Sequence, residues 1–478
     1  MALETASAPA EIDPPLHSSA RPARGRNGAR KTAFLLALIA FVVYNANLRE
    51  LTSFDTYPTR FIPISVLQHF TLELDQFPFL THYPAVWSGN GVVDTSATPY
   101  YITLARGHVL SRFPVMAGIL ATPVYVVPVL LGLTNDSVAA QGYSRTEILA
   151  TFLSKIAASL AAALSVGVVY LTLLRLTTHS GALWISLIYA FATSTWALSS
   201  QGLWQTSMSQ PLIALTFYFL VKARQKPVNA IYASIPLALA VAARPTVIVL
   251  ALALVIHVAH AHRAQLARFL VAPAIVGALL VAYNEYYFAS IFGPYAGVGG
   301  VSEVFALPTL DALLGLLVSP SRGILVYSPV LMLGAIGLVI ALVRRSDSLL
   351  TAIAASTVLT ILVYACWSQW DGGFSYSYRF LVDLVPGLML LLASMWGSVA
   401  TRRWSTGLFV AAAGFSLFIQ VVGAFDYPCN WTSTPVEATA NRGRFWDWTD
   451  PEFVRCAQAG PVDPDGLRFL RSVLAERV

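Results

Sequence analysis

Asp55 is the residue whose chemistry is easiest to name. It stands in Ser-Phe-Asp-Thr-Tyr-Pro-Thr-Arg (53–60), a few residues after a long apolar block. A carboxylate there can act as general base for an acceptor hydroxyl or amine. With Asp75 it can also help to hold a divalent cation. The plainer reading of Asp55-Thr-Tyr-Pro is a helix cap, and composition alone favours it. Six cations lie near the ends of apolar blocks: Arg60, Arg112, Lys155, Arg244, Arg322 and Arg379. Arginine grips phosphate in a bidentate fork, so a lipid phosphate or pyrophosphate suits the set. Any one of them could instead pair with Asp55, Glu285, Asp371 or Asp383. Lys155 lies ten residues after Arg145, roughly 15 Å along a helix, too deep for easy snorkelling.

Aromatic side chains form the third group: Trp204, Tyr286, Tyr287, Tyr295, Trp367, Trp370, Tyr376 and Tyr378. Sugars present flat C–H faces that stack on such rings. Gln205, Glu285 and Asp371 sit among them in Gln-Gly-Leu-Trp-Gln (201–205), Asn-Glu-Tyr-Tyr-Phe (284–288) and Trp-Asp-Gly-Gly (370–373). The bland alternative is the aromatic belt of any membrane protein, the better reading for Tyr100, Tyr101 and Tyr125. The paired glycines after Asp371 suggest a tight loop brought near a ligand.

The elements that must position these residues are membrane helices. Of 478 residues, 56% are hydrophobic and 11% charged, against about 45–50% and 25% in an ordinary soluble domain. There is too little polar side chain to coat a water-facing surface of this size. The net charge of +6 comes from positives at the ends of apolar blocks. It forms no basic stripe, so no nucleic-acid partner is expected.

The expected spans are 32–48, 146–174, 181–199, 208–223, 228–243, 246–261, 269–288, 323–343, 349–366, 379–398 and 405–424. The block 113–131 carries Pro114, Pro123 and Pro128, and each removes a backbone donor. If it does not cross, Arg175, Lys222, Arg224, Arg263, Arg268, Arg344, Arg345 and Arg402 all fall on the side of the basic N-terminus, as the positive-inside rule asks. The expectation is therefore an all-α polytopic transmembrane bundle of eleven spans, or twelve if 113–131 crosses. The N-terminus lies in the cytoplasm, and 1–31 forms a disordered basic lead. Asp94 reads as a plain turn residue.

This topology collects 49–145, 200–207, 244–245, 289–322, 367–378 and 425–478 on the outer face. Nearly all the aromatic-polar sequence is in those segments, while the inner loops are short. One elaborate face argues for chemistry there, whereas a transporter needs access from both sides. The 425–478 tail is a small external unit. It holds Cys429 and Cys456, which an oxidising compartment would join as a disulfide, leaving Cys366 free.

The ordered motifs resemble the GT-C superfamily of polyprenyl-phosphate-sugar-dependent glycosyltransferases. The nearest branch is the bacterial family 39-like enzymes, which include protein mannosyltransferases and the aminoarabinose transferase of lipid A. The likeness rests on SFDTYPTRFIPISVL (53–67), SRFPVMAGILATPVY (111–125), LWQ (203–205), ARPT (243–246), LLVSPSRGILVYSPV (316–330) and SYRFLVDLVPG (377–387). It implies a GT-C-like catalytic module over 32–424, with juxtamembrane or re-entrant helices in 49–145. Asp55 would be the catalytic carboxylate, and Arg112 and Lys155 would match positions around the carrier phosphate. Family 39 relatives often carry paired acids near the first carboxylate and two prolines after the cation. Here Asp55 stands alone and Arg112-Phe113-Pro114 has one proline, which leaves a metal requirement open.

The leading expectation is an inverting glycosyltransferase of a bacterial inner membrane. It would move a sugar from a polyprenyl-phosphate donor to an envelope glycan, lipid or protein on the outer face. The competing classes are a flippase for a lipid-linked sugar, for which no inverted repeat is visible, and a non-catalytic envelope assembly protein.

Overall fold

The computed structural model describes residues 23–82, 98–134, 145–294, 305–401 and 403–463. Tyr295, Asp94 and most of the 1–31 lead lie outside them. The chain is a multi-pass bundle of apolar helices. Those of eight or more residues are α1 (Ala23–Asn45), α2 (Ile62–His69), α3 (Met116–Leu130), α4 (Arg145–Leu173), α5 (His179–Phe191), α6 (Gln205–Ala223), α7 (Asn229–Ala243) and α8 (Ile248–Ala261). They continue with α9 (Val271–Phe288), α10 (Leu310–Val318), α11 (Met332–Arg344), α12 (Ser348–Ala365), α13 (Val385–Thr401), α14 (Arg403–Phe425) and α15 (Glu452–Ala459). A helix stands at each expected span and one more at 113–131. Among the described residues, six helices are long and apolar enough to cross a membrane, and five shorter apolar ones accompany them.

The first helix starts earlier than the hydropathy suggests, at Ala23. The lead 23–31 extends the helix although it holds Gly25, Asn27 and Gly28, which are poor helix formers. Helices approach closely where a side chain is missing. A Cβ on Gly167 of α4 would lie 2.9 Å from the Ala33 carbonyl of α1, the small-residue contact typical of membrane helix pairs.

Polar contacts sort the loops to two ends of the bundle. At one end, Arg224 pairs with Asp347 at 2.7 Å and Arg175 donates to Gln225 at 3.1 Å. At the other, Arg49 donates to the Phe425 and Tyr427 carbonyls and Leu51 N to the Gln201 carbonyl. Ser319 there donates to the Phe445 carbonyl. The segments expected on one face thus meet one another.

Several helices are shorter than their apolar blocks at this loop-rich end. α5 stops at Phe191, α11 starts only at Met332, and α13 starts at Val385 after a tighter turn at Arg379–Leu384. The unwound stretches bury Ser194, Ser328 and Ser377. Irregular backbone at such depth survives only if its polar groups are satisfied within the protein. Here Ser194 and Ser377 share a hydrogen bond of 2.5 Å, and the Tyr378 hydroxyl bonds both Ser194 N and Ser328 Oγ.

α3 begins and ends at the loop-rich end. Its entry is tied through Arg112 N to the Tyr101 carbonyl. At its exit, Gln68 and Thr146 donate to Thr134 Oγ1 and to its carbonyl. Midway, the Tyr125 hydroxyl reaches the Ala150 carbonyl near the start of α4. Just before α3, a hairpin pairs β1 (Ile102–Ala105) with β2 (His108–Ser111) in antiparallel register. Its turn is Arg106-Gly107, with φ of +50° and +83°, the left-handed pair that matches strand twist in two-residue hairpins.

Candidate active site

Asp55 sits in a short turn of helix, Phe54–Thr56, between α1 and α2. Its side chain is 18% exposed. Arg379, at the start of the turn before α13, forms an ion pair with Oδ2. The Tyr100 hydroxyl donates to Oδ1 at 2.7 Å. Burial pushes the carboxyl up, but the charge and hydrogen bond of Arg379, joined by that of Tyr100, outweigh it and hold the group below the usual Asp range. An ionised carboxylate has about four lone-pair sites, so both oxygens keep accepting capacity for an incoming proton.

Arg379 is itself held. It lies 4.5 Å above the Trp204 ring, and Nη1 donates to the Gly372 carbonyl. Trp204 is buried, with its indole N–H on the Leu51 carbonyl at 3.0 Å. Arg379 thus takes the alternative the sequence left open, an acidic partner at Asp55, and Trp204 lies beneath it. Gln205, the first residue of α6, follows directly on and is half-buried.

Tyr100 extends the site to the hairpin. Its ring meets the edge of Phe113 at 6.3 Å, beside Arg112. Among the described residues, Arg112 differs from the other five cations in that its side chain makes no ion pair or hydrogen bond, and its Nε is buried without a partner.

The remaining cations are engaged within the protein. Arg60 pairs with Glu50 at 3.0 Å and donates to Thr151 at 2.7 Å. Lys155 donates to the Tyr44 carbonyl at 2.8 Å and to Gln201 at 2.6 Å. Gln201 also accepts from Asn47, so this buried network ties α1, α4 and the 200–204 loop together. Arg244 pairs with Asp383 at 3.0 Å and donates to the Tyr364 hydroxyl at 2.8 Å. Arg322 is fully buried, pairs with Glu452 at 2.5 Å, and donates to the Asp371 and Gly373 carbonyls.

Three of the candidate sugar contacts are packing residues in this structure. Trp370 is 2% exposed, wedged against Gly315 and hydrogen-bonded to Asp311. Asp371 is buried and caps Gly373 N. Tyr376 is buried and donates to the Ile419 carbonyl. The other three lie on α9, away from Asp55. Glu285 is exposed, Tyr286 lies under Arg106 at 4.8 Å, and Tyr287 donates to Glu73 at 2.7 Å. Asp75 joins Glu73 and His108 rather than Asp55. Cys429 and Cys456 are bonded, with Cα atoms 5.0 Å apart, and Cys366 is free.

Sequence reasoning passed over Tyr100, Glu50 and Glu452. Tyr100 was read as belt. Glu50, five residues before Asp55, is buried and held by Arg60 and Ser154. Burial raises its carboxyl, against the lowering effect of Arg60 and of its hydrogen bonds. Its nearness to Asp55 in sequence was the available signal. Nothing local marked Glu452, which lies 130 residues from Arg322.

A small cleft lies between α6, α8, α12 and α13. Ile213, Phe217, Leu250 and Ile353 line it together with the polar Thr246, Ser356, Thr357, Thr360, Tyr364 and Asp383. Phe380 also lines it, next in sequence to Arg379.

No family model matches the chain, and no curated protein matches it significantly. Solved membrane glycosyltransferases do resemble it. The Archaeoglobus fulgidus oligosaccharyltransferase, tethered to an acceptor peptide, aligns at 10% identity and a TM-score of 0.49 over 90% of this chain. The chain spans 60% of that protein's length. ArnT from Cupriavidus metallidurans, bound to undecaprenyl phosphate, aligns at 12% identity and a TM-score of 0.46, covering 92% of this chain and 75% of its own. Likenesses this distant supply no residue roles, and the chemistry below rests on the geometry described above.

Proposed function

We propose that the chain is an integral-membrane glycosyltransferase that takes a sugar from a polyprenyl-phosphate donor and passes it to a cell-envelope acceptor. One observation carries this reading. An ionised, partly open carboxylate, Asp55, accepts from Tyr100, whose ring meets Phe113, the neighbour in sequence of Arg112, a cation with no acidic partner among the described residues.

The acceptor oxygen attacks the anomeric carbon and its proton moves to Asp55. The bond from that carbon to the phosphate oxygen breaks on the opposite face. The phosphate leaves with the electron pair, and the sugar inverts. Arg112 meets the growing charge, in line with electrostatic stabilisation of a leaving group. Arg379 keeps the base ionised and oriented. The site would face the periplasm or exterior of a bacterial inner membrane, with the N-terminus cytoplasmic. A divalent metal at Asp55 is not needed for these steps, because Arg379 supplies the local positive charge.

The test is release of free polyprenyl phosphate from a labelled polyprenyl-phosphate sugar by the purified chain in lipid nanodiscs. Asp55→Asn should abolish release while leaving the protein folded, because size is kept and the amide oxygen can still accept from Arg379 or Tyr100. Near-normal turnover in that variant would remove Asp55 from the mechanism.

A further inference from the structure

We infer that Glu73, Asp75 and His108 form a zinc site on the hairpin side of the molecule, an inference independent of the transferase reading. Leu74 is buried and its N–H donates to the Val109 carbonyl at 2.8 Å. On either side of this buried residue the carboxylates are open to solvent, with 23% of the Glu73 and 44% of the Asp75 side chain exposed. There they meet His108, the first residue after the hairpin turn. The turn geometry fixes that position, since Ala105 and His108 are register partners.

The three ligand atoms lie within 4.8 Å of one another. His108 Nδ1 is 3.4 Å from Glu73 Oε2 and 2.7 Å from Asp75 Oδ2. Ligands about 2.0–2.2 Å from a tetrahedral zinc stand about 3.3–3.5 Å apart. The first separation already fits. The second is a direct hydrogen bond that the metal would replace by opening it a little over half an ångström. Outer partners hold the ligands in place, as is usual at metal sites. Val109 N donates to Asp75 Oδ1 at 2.6 Å, and the Tyr287 hydroxyl to Glu73 Oε1 at 2.7 Å. Both leave the converging oxygens free.

An imidazole with two carboxylates selects zinc over calcium or magnesium, which take oxygen ligands. Three protein ligands leave the fourth position to water. The role is mechanical. Zinc would clamp the hairpin tip to the segment after α2, and the base of the same hairpin adjoins Tyr100, which bonds Asp55, and leads into Arg112.

The experiment uses the full-length chain, purified in detergent, stripped with a chelator and dialysed. Zinc is titrated against a chromophoric competitor, and cobalt is substituted to read geometry. The expectation is one zinc per chain with a micromolar or tighter Kd, and intense visible bands of four-coordinate cobalt. Asp75→Asn and His108→Gln should each weaken binding at least tenfold and abolish those bands. Glutamine keeps a hydrogen-bond donor towards Asp75, so the hairpin contact survives, and an unchanged gel-filtration profile checks the fold. Binding at background level, equal binding by both variants, or only the weak spectrum of six-coordinate cobalt would overturn the proposal.

Discussion

Asp55 and Arg379 make each other's chemistry, and the sign of their coupling is testable. The folded carboxyl titrates below the ordinary Asp range because Arg379 outweighs burial. Activity that needs the ionised base should therefore persist as pH falls through that range, and decline only below it. Arg379→Gln removes the charge but leaves the burial, which alone raises the carboxyl. Its acid limb should move to higher pH, read from kcat/KM against pH. An unmoved limb would mean that another group titrates there. The Asp55 contribution to stability has the same sign: it is present above the unfolded pKa and lost as pH falls through the folded one. Arg112→Ala should raise the donor KM or lower kcat/KM for donor about ten- to a hundredfold, the loss of one charge-assisted contact of about 1.5–3 kcal/mol. A change confined to the acceptor KM would detach Arg112 from the phosphate. Lys155 belongs elsewhere. Its donation to the Tyr44 carbonyl and Gln201 braces three elements, so its loss should lower the melting temperature.

The loop between α12 and α13 sets the position of Arg379, and the C-terminal tail sets the loop. Gly372 and Gly373 adopt φ of +76° and +62°, and their carbonyls accept from Arg379 and Arg322. Arg322 in turn is neutralised by Glu452, on the same short helix α15 that carries the disulfide cysteine Cys456. Glu452→Gln leaves a buried guanidinium without its counter-charge, a loss of about 3–5 kcal/mol. The loop should loosen: Ser375→Cys, buried in the parent chain, should become reactive to a maleimide when combined with Glu452→Gln. Unchanged protection would show that the loop holds itself. This bracing was invisible in the sequence for a physical reason. A buried ion pair between residues 322 and 452 leaves no periodicity or local spacing to read. The hydropathy blocks were legible because a hydrocarbon core imposes one length and one polarity on every crossing helix. Asp55 stood out because its neighbours form an ordered motif, although composition alone favoured a cap there. The hydropathy blocks misled where helices unwind, at Ser194 and Ser328, because buried hydroxyls satisfy the free backbone there and the apolar count does not register it.

The whole molecule divides its labour by ends, and its orientation follows from charge. Short basic linkers gather at one end, where Arg224 meets Asp347. The polar-aromatic segments gather at the other, around Asp55. If the positive-inside rule orients the bundle, the linker end is cytoplasmic. The bend point of that argument is α3. Its exit residue Thr134 bonds Gln68 and Thr146, which returns the chain to the end it left. A crossing α3 would reverse every later helix and separate Asp55 from Arg379 by the thickness of the bilayer, which their ion pair forbids. Three single cysteines in a Cys366→Ser background decide the orientation, and each site is exposed: Leu133 after α3, Ser180 at the start of α5 and Val436 in the tail. A membrane-impermeant maleimide on intact cells should label Leu133→Cys and Val436→Cys, and reach Ser180→Cys only after lysis. Labelling of Ser180→Cys alone would invert the bundle and put the Asp55 site in the cytoplasm, where a donor displayed on the outer leaflet could not reach it.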